Sequence, residues 1–323
     1  MDNFWGGKRV LVTGGTGFIG SHLVEMLSSK GAYVTIASSR CDRKFLENVK
    51  SYNTTLVKAD LTELGQCKKA VKSQDIVMNV AASVGGIEHN INHPGTIYTK
   101  NVLMNTNMLE AAKNENVERY LVVSSACVYK RHCTIPTPET EGYDDWPEPT
   151  NDGYGWSKRM AEIQGQLYAR EFGMKIAIAR PYNAYGPRDN FEPKTSHVIP
   201  ALIKRVIDGE NPLNVWGSGN QSRSFLYATD FCRGLMEITE KYAVADPLNI
   251  GADEETTIRE LVEIIIKHSG KDTKAVFDTS KPEGQPRRKC DTRKAFEKIG
   301  FKAEVSLETG IRETIEWYKK NLM

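Results

Sequence analysis

Val10-Leu-Val-Thr-Gly14-Gly15-Thr-Gly17-Phe18-Ile19-Gly20 decides the fold of this chain. A short aliphatic run ends in a glycine cluster, and Ser21-His-Leu-Val-Glu-Met-Leu-Ser-Ser-Lys-Gly31 continues at once in helical periodicity. Strand, glycine turn and helix in this order make a dinucleotide site. One glycine allows the tight turn, a second lets the backbone approach a pyrophosphate, and a third lets helix pack on strand. The helix start then offers unpaired N–H groups and a partial positive charge to phosphate. The spacing is G-x-x-G-x-x-G, on Gly14, Gly17 and Gly20. Gly31 is the expected helix stop.

Strand and helix patterns alternate outward from that stretch. Strands are expected at 9–13, 33–37, 55–58, 75–79, 120–124 and 175–179, and helices at 18–30, 61–71, 96–113 and 154–172. Continuous apolar strands between amphipathic helices indicate an α/β, doubly wound, Rossmann-like parallel sheet covered on both faces. Ligands of such sheets sit at the carboxyl ends of the strands. Beyond Pro181 the texture becomes irregular, with helices expected at 198–208, 229–242, 258–269 and 307–321. Leu248-Asn-Ile250 is expected to return to the main sheet. The reading is a dinucleotide-binding domain of residues 1–185 plus about 222–252, and a smaller α/β substrate domain of about 186–221 plus 253–323.

Bulk properties bound the function. The 323 residues are 40% hydrophobic and 26% charged, as in ordinary globular proteins, and a net charge of +2 provides no field for nucleic acid. Cys41, Cys67, Cys127, Cys133, Cys232 and Cys290 form no C-x-x-C pair, so neither a disulfide framework nor a metal site is expected. With no leader and no long apolar run, the expectation is a cytoplasmic protein without membrane contact.

The chemistry concentrates in two segments. Tyr154-Gly-Trp-Ser-Lys158 sets a phenol and an ammonium one helical turn apart, where the lysine is expected to lower the tyrosine pKa. Ser124-Ser125-Ala-Cys127-Val-Tyr129 ends the preceding strand, and Ser125 is placed to share a substrate oxygen with that phenol. Glycine turn, strand-end serine and Tyr-x-x-x-Lys, in this order, resemble the extended short-chain dehydrogenase/reductase family of nucleotide-sugar epimerases, dehydratases and reductases. That resemblance implies a catalytic Ser125, Tyr154 and Lys158. It implies cofactor contacts from Gly14, Gly17, Phe18, Ile19, Gly20, Asp60, Leu61, Ala81, Ala82, Pro181 and Asn183. It also implies that Asn101 supports the lysine. At the end of the second strand, Ser38-Ser39-Arg40 offers no carboxylate to grip a ribose diol and an arginine to pair with a phosphate. NADP (as NADPH) is therefore expected, with NAD as the alternative.

Three further stretches narrow the resemblance: Val84-Gly-Gly-Ile87, the segment from Asp189 through His197 to Leu202, and Val276 through Arg287. They resemble the GDP-L-fucose synthase family, the GDP-4-keto-6-deoxymannose 3,5-epimerase/4-reductases. That family implies proton transfer at C3 and C5 by Cys127 and His197, and substrate contacts from Val84, Asn183, Arg205, Trp216, Arg223 and Arg288. Protons next to a carbonyl are acidic enough for thiolate and imidazole to move. Two features depart from that family. The glycine turn has the commoner epimerase form, and Arg288 stands where lysine is frequent. Ser-Ala-Cys127-Val-Tyr also resembles GDP-mannose 3,5-epimerases, so an epimerase with tightly held NAD(P) and no net redox is the alternative. A non-catalytic NADP sensor is disfavoured by the intact Tyr–Lys pair. The family implies a homodimer built on the two long helices, in which Val102, Leu103, Met108 and Leu109 serve either that contact or the sheet.

Overall fold

The computed structural model describes residues 3–40, 53–193, 195–281 and 285–323. Cys41 lies outside them, as do Lys194 and residues 282–284 within two of the stretches quoted above. The strands are β1 (Arg9–Thr13), β2 (Tyr33–Ser38), β3 (Thr54–Lys58), β4 (Ile76–Asn79), β5 (Arg119–Val123), β6 (Ile176–Pro181), β7 (Ala184–Tyr185), β8 (Leu213–Trp216), β9 (Ser222–Arg223), β10 (Leu226–Tyr227), β11 (Pro247–Ile250), β12 (Thr256–Thr257), β13 (Ala275–Asp278) and β14 (Arg287–Arg288). The helices are α1 (Phe18–Ser29), α2 (Leu64–Val71), α3 (Ile87–Asn92), α4 (Pro94–Asn114), α5 (Asp152–Phe172), α6 (Val198–Ile207), α7 (Ala228–Lys241), α8 (Ile258–Ser269), α9 (Arg293–Ile299) and α10 (Leu307–Leu322).

Seven strands form one sheet in the order β11-β6-β5-β4-β1-β2-β3, every neighbouring pair parallel. Chain order reverses between β1 and β4, and that switch point opens a crevice at the strands' carboxyl ends. Successive side chains of a strand face opposite ways. Val10 and Val12 accordingly pack with Leu23, Val24, Leu27 and Leu235 on one face. Leu11 packs with Met108, Leu109 and Ala161 on the other. A second core gathers α6, α8 and α10 around Tyr185, Ile203, Ile265 and Ile315.

The observed elements depart from the sequence reading in instructive places. α2 starts at Leu64 rather than residue 61, because Asp60 Oδ1 accepts hydrogen bonds from the Thr62 amide and hydroxyl and holds the intervening residues in a turn. α9 was not foreseen, and its Ala295 and Ile299 join Phe301 in the core under β11. Thus part of the 253–323 stretch packs on the main sheet. In α4, Met108 and Leu109 serve the sheet core, whereas Leu103 is exposed.

The loop after β7 is fastened to α1 at two points. His22 Nε2 lies 2.8 Å from the Pro187 carbonyl, and Arg188 pairs with Glu25 at 2.8 Å. Burial holds the His22 imidazole neutral, its pKa pushed down to about 4. A histidine whose pKa is lower in the folded state stabilises the fold fully above its unfolded value and loses that contribution as pH falls towards the folded one. Stability should therefore drop by about 3 kcal/mol between roughly pH 6.5 and pH 4. Urea titrations should show this loss in the wild type and a shallower one in His22→Gln, whose amide can still donate to Pro187.

Candidate active site

The glycine turn closes as its spacing predicts. Gly14 has φ +66° and lies against the backbone after β4, where a Cβ would sit 3.1 Å from Ala81 Cα. A Cβ on Gly20 would run into the Gly14 carbonyl, so the first turn of α1 packs directly on the loop. α1 starts after Gly17 with no side-chain cap, which leaves the amides of Phe18, Ile19 and Gly20 without helical acceptors. Thr13 Oγ1 donates to Asn79 Oδ1 at 2.7 Å and accepts from the Ala81 amide at 3.0 Å, locking the two sides of the switch point together. Ala82 is exposed beside them. At the end of β2, Ser38 Oγ is 2.7 Å from Thr16 Oγ1, and Ser39 and Arg40 are exposed. Asp60 is exposed and Leu61 buried at the next strand end. A glycine floor, free helix amides and a hydroxyl-lined strand end fit a dinucleotide diphosphate.

Asn101 departs from expectation. Its Oδ1 accepts from the Ser83 amide at 2.9 Å, and its Nδ2 donates to the Ser83 carbonyl at 2.8 Å. It therefore fixes the loop that presents exposed Val84, and Lys158 is held elsewhere. Lys158 Nζ donates to the Val123 carbonyl at 2.8 Å.

Ser125 follows β5 and caps the short turn 126–128, its Oγ accepting from the Cys127 amide at 3.1 Å. The same hydroxyl lies close enough to the Tyr154 phenol to lower its pKa. α5 presents Tyr154 and Lys158 on one face, the Lys158 ammonium 5.4 Å from the Tyr154 ring centre. The expected lowering of the tyrosine pKa is not what results. Burial raises it, the neighbouring Cys127 raises it further, and only Ser125 pulls it back. The Lys158 ammonium stands over the Tyr154 ring while it donates to the Val123 carbonyl. Burial instead pushes Lys158 down to about 8, with Cys127 and Glu162 holding it up.

A third element completes this wall. Arg288 Nη2 lies 3.8 Å from Cys127 Sγ. β14 pairs in parallel with β9, placing Arg288 opposite Arg223. Among the described residues Arg223 makes one hydrogen bond, to the Ser222 carbonyl at 2.7 Å. Burial and the adjacent Arg288 push its pKa down to about 10. Two half-buried guanidiniums side by side have the charge and geometry to hold an anion. Trp216, 62% exposed on β8, offers an open aromatic face.

Other expected site residues are engaged differently. Arg205 pairs with Glu210, at 2.6 and 2.5 Å, and donates to the Asn214 carbonyl, so its guanidinium braces α6 against β8. Asn183 Nδ2 donates to the Ser224 carbonyl at 2.8 Å, and Pro181 closes β6. His197 caps α6 from an exposed position, and no hydrogen bond to its ring appears among the described residues. Its surroundings still hold its pKa below the usual histidine value through desolvation.

The sequence reading missed Glu148. It is buried, its Oε2 has no partner among the described residues, and it acts electrostatically on Arg223 and Arg288. Its position in Trp-Pro-Glu-Pro-Thr carries no periodic signal, so only the fold brings it to the arginines.

Comparison with known proteins agrees with this geometry. Residues 10–251 match the NAD dependent epimerase/dehydratase family. A GDP-L-fucose synthase of Sinorhizobium fredii is 32% identical over 98% of this chain and 97% of its own length. The GDP-mannose 3,5-epimerase 1 of Oryza sativa subsp. indica is 30% identical over 99% of this chain and 85% of its own. The crystal structure of the Thermotoga maritima UDP-glucose 4-epimerase with UDP-glucose superposes with a TM-score of 0.87 at 27% identity, covering 98% of this chain and 100% of that one. This chain is thus an enzyme of the extended short-chain dehydrogenase/reductase type and belongs to the NAD dependent epimerase/dehydratase family.

Proposed function

We propose that this enzyme converts a GDP-linked 4-keto-6-deoxy sugar by proton transfer at C3 and C5 followed by reduction at C4 with NADPH. The observation that carries the reading is the convergence of the Tyr154 phenol, the Ser125 hydroxyl and the Cys127 thiol, with Arg288 on the thiol. Ser125 and Tyr154 hold the C4 oxygen, so charge developing there as an adjacent proton leaves meets two fixed donors. Cys127 removes the proton from C3 or C5. His197 returns one to the opposite face. Arg223 and Arg288 hold the diphosphate, and Trp216 offers a stacking face to the base. When bound in the glycine-turn cleft, NADPH supplies the hydride for C4. Tyr154 then gives its proton to the C4 oxygen, and the Lys158 ammonium stabilises the resulting phenolate.

The Ser38-Ser39-Arg40 strand end supports NADPH over NADH. The assembly we favour is a homodimer on α4 and α5, supported by the exposed apolar residues Leu103, Met160, Ile163 and Leu167. Among the described residues no helix is long and apolar enough to cross a membrane. The five described cysteines are free thiols, which fits a reducing compartment such as the cytoplasm.

The direct test supplies GDP-4-keto-6-deoxymannose. One NADPH should be oxidised per sugar consumed, NADPH should bind at least about tenfold more tightly than NADH, and Arg40→Ala should erase most of that preference, since one charge-assisted pair contributes roughly 1.5–3 kcal/mol. Interconversion of GDP-mannose with catalytic cofactor and no net oxidation would establish the epimerase reading instead.

A further inference from the structure

Glu162 lies one helical turn beyond Lys158 on α5 and is fully buried, as is Arg180 at the end of β6. Its carboxylate accepts four hydrogen bonds. Oε1 takes the Ser124 hydroxyl and Arg180 Nε at 2.8 Å, and Oε2 takes Arg180 Nη2 at 2.7 Å and the Tyr143 hydroxyl at 2.7 Å. Arg180 Nη1 continues to the Tyr129 hydroxyl at 3.2 Å and the Glu139 carbonyl at 2.6 Å. The guanidinium lies directly on Gly142, where any Cβ would collide with it. One ion pair thereby ties the end of β5, the end of β6, α5 and the 139–143 turn into a single unit.

Burying an ion pair is seldom worth more to stability than a well-packed apolar pair. Its placement points to another role. Ser124 adjoins Ser125, and Lys158 precedes Glu162 on the same helical face. We infer that the Glu162–Arg180 pair is a positioning device, which sets the Ser125 hydroxyl against Tyr154 and supplies the negative charge that the Lys158 ammonium faces. The groups around Lys158 are Cys127 from the turn after β5, Tyr154 and Glu162 from α5, and the Val123 carbonyl of β5. Those around Glu162 are Arg180, Tyr143, Arg159 and Tyr129. Of these, Glu162 and Cys127 hold Lys158 in its charged form against the pull of burial.

The role assigned to Lys158 and Ser125 rests on the proposed reaction, so the test has one arm independent of turnover. In protein labelled with 15N at lysine Nζ and bound to NADPH, with Lys158→Met assigning the resonance, the Lys158 titration midpoint is followed by NMR. Glu162→Gln should lower it by roughly one unit, the effect of losing a nearby opposite charge. Because that variant leaves a buried guanidinium unpaired, the same measurement is made on Glu162→Met/Arg180→Met, which retains an apolar pair. In both, turnover of the keto sugar should fall at least about tenfold with its alkaline limb displaced in step, and NADPH affinity should stay within about twofold. A folded double variant whose Lys158 titrates as in the wild type overturns the inference. A wild type inert towards the keto sugar overturns the proposed reaction alone, and the titration still decides the role of Glu162.

Discussion

Cys127→Ala is expected to abolish deuterium incorporation from solvent at C3 and C5 of the keto sugar, a loss of about 10²–10⁴-fold or more for a group that takes the proton directly. The reasoning is spatial. Cys127 stands in the turn after β5, its amide fixed by Ser125 Oγ at 3.1 Å and its Sγ 3.8 Å from Arg288 Nη2. A base here faces the same oxygen that Ser125 and Tyr154 polarise, which makes the neighbouring C–H bonds its natural targets. Cys127→Ser should be nearly as damaged, because a hydroxyl has no accessible anion at neutral pH where a thiol does. NADPH binding should be unaffected in both, since the cleft of Gly14, Gly17 and Gly20 lies on the far side of β4. The measurement is the mass of sugar recovered from D2O. Exchange at the wild-type rate in Cys127→Ala would falsify the assignment of Cys127 as the base.

The sequence carried the fold well where one physical rule dominates. The glycine spacing dictated the β1–α1 turn. The apolar runs of β1, β4, β5 and β6 could only be strands covered on both faces. The shared face of Tyr154 and Lys158 was legible from helical spacing, whereas Ser125 was expected beside them only through the resemblance of its motif. What escaped depends on pairing between distant segments. Nothing near Arg288 announces that β14 will lie against β9 and bring it to Cys127. Nothing in the spacing of Arg205 announces its pairing with Glu210, five residues on. The electrostatics of the Tyr154–Lys158 pair also differ from what spacing implies. Helical periodicity places the two side chains on one face, but the Val123 carbonyl decides where the ammonium points. Glu148 and Glu162 look like solvated charges in the sequence, and only burial turns them into parts of the site.

Tyr154→Phe is expected to reduce NADPH oxidation by about 10²–10⁴-fold while NADPH affinity changes little. Burial, and then Cys127, raise the phenol's pKa above its ordinary value, and Ser125 only partly reverses this. The group is therefore protonated across the neutral range, the form required to give a proton to an oxygen that becomes an alkoxide. Phenylalanine keeps the ring packed on α5 and removes only that proton. Deuterium exchange should suffer less than reduction, because Ser125 still donates to the C4 oxygen, whereas reduction also needs the phenol's proton to complete the alcohol. The pH profile separates this account from simple misplacement. Lys158 is pushed down to about 8, so wild-type turnover should fall as pH rises through that value and the ammonium loses its charge. In Tyr154→Phe there is no phenolate for the ammonium to stabilise, and the residual rate should lose that alkaline limb. A variant that retains the limb at reduced rate would assign the pH dependence to another group, and one that reduces the sugar at the wild-type rate would remove Tyr154 from the chemistry.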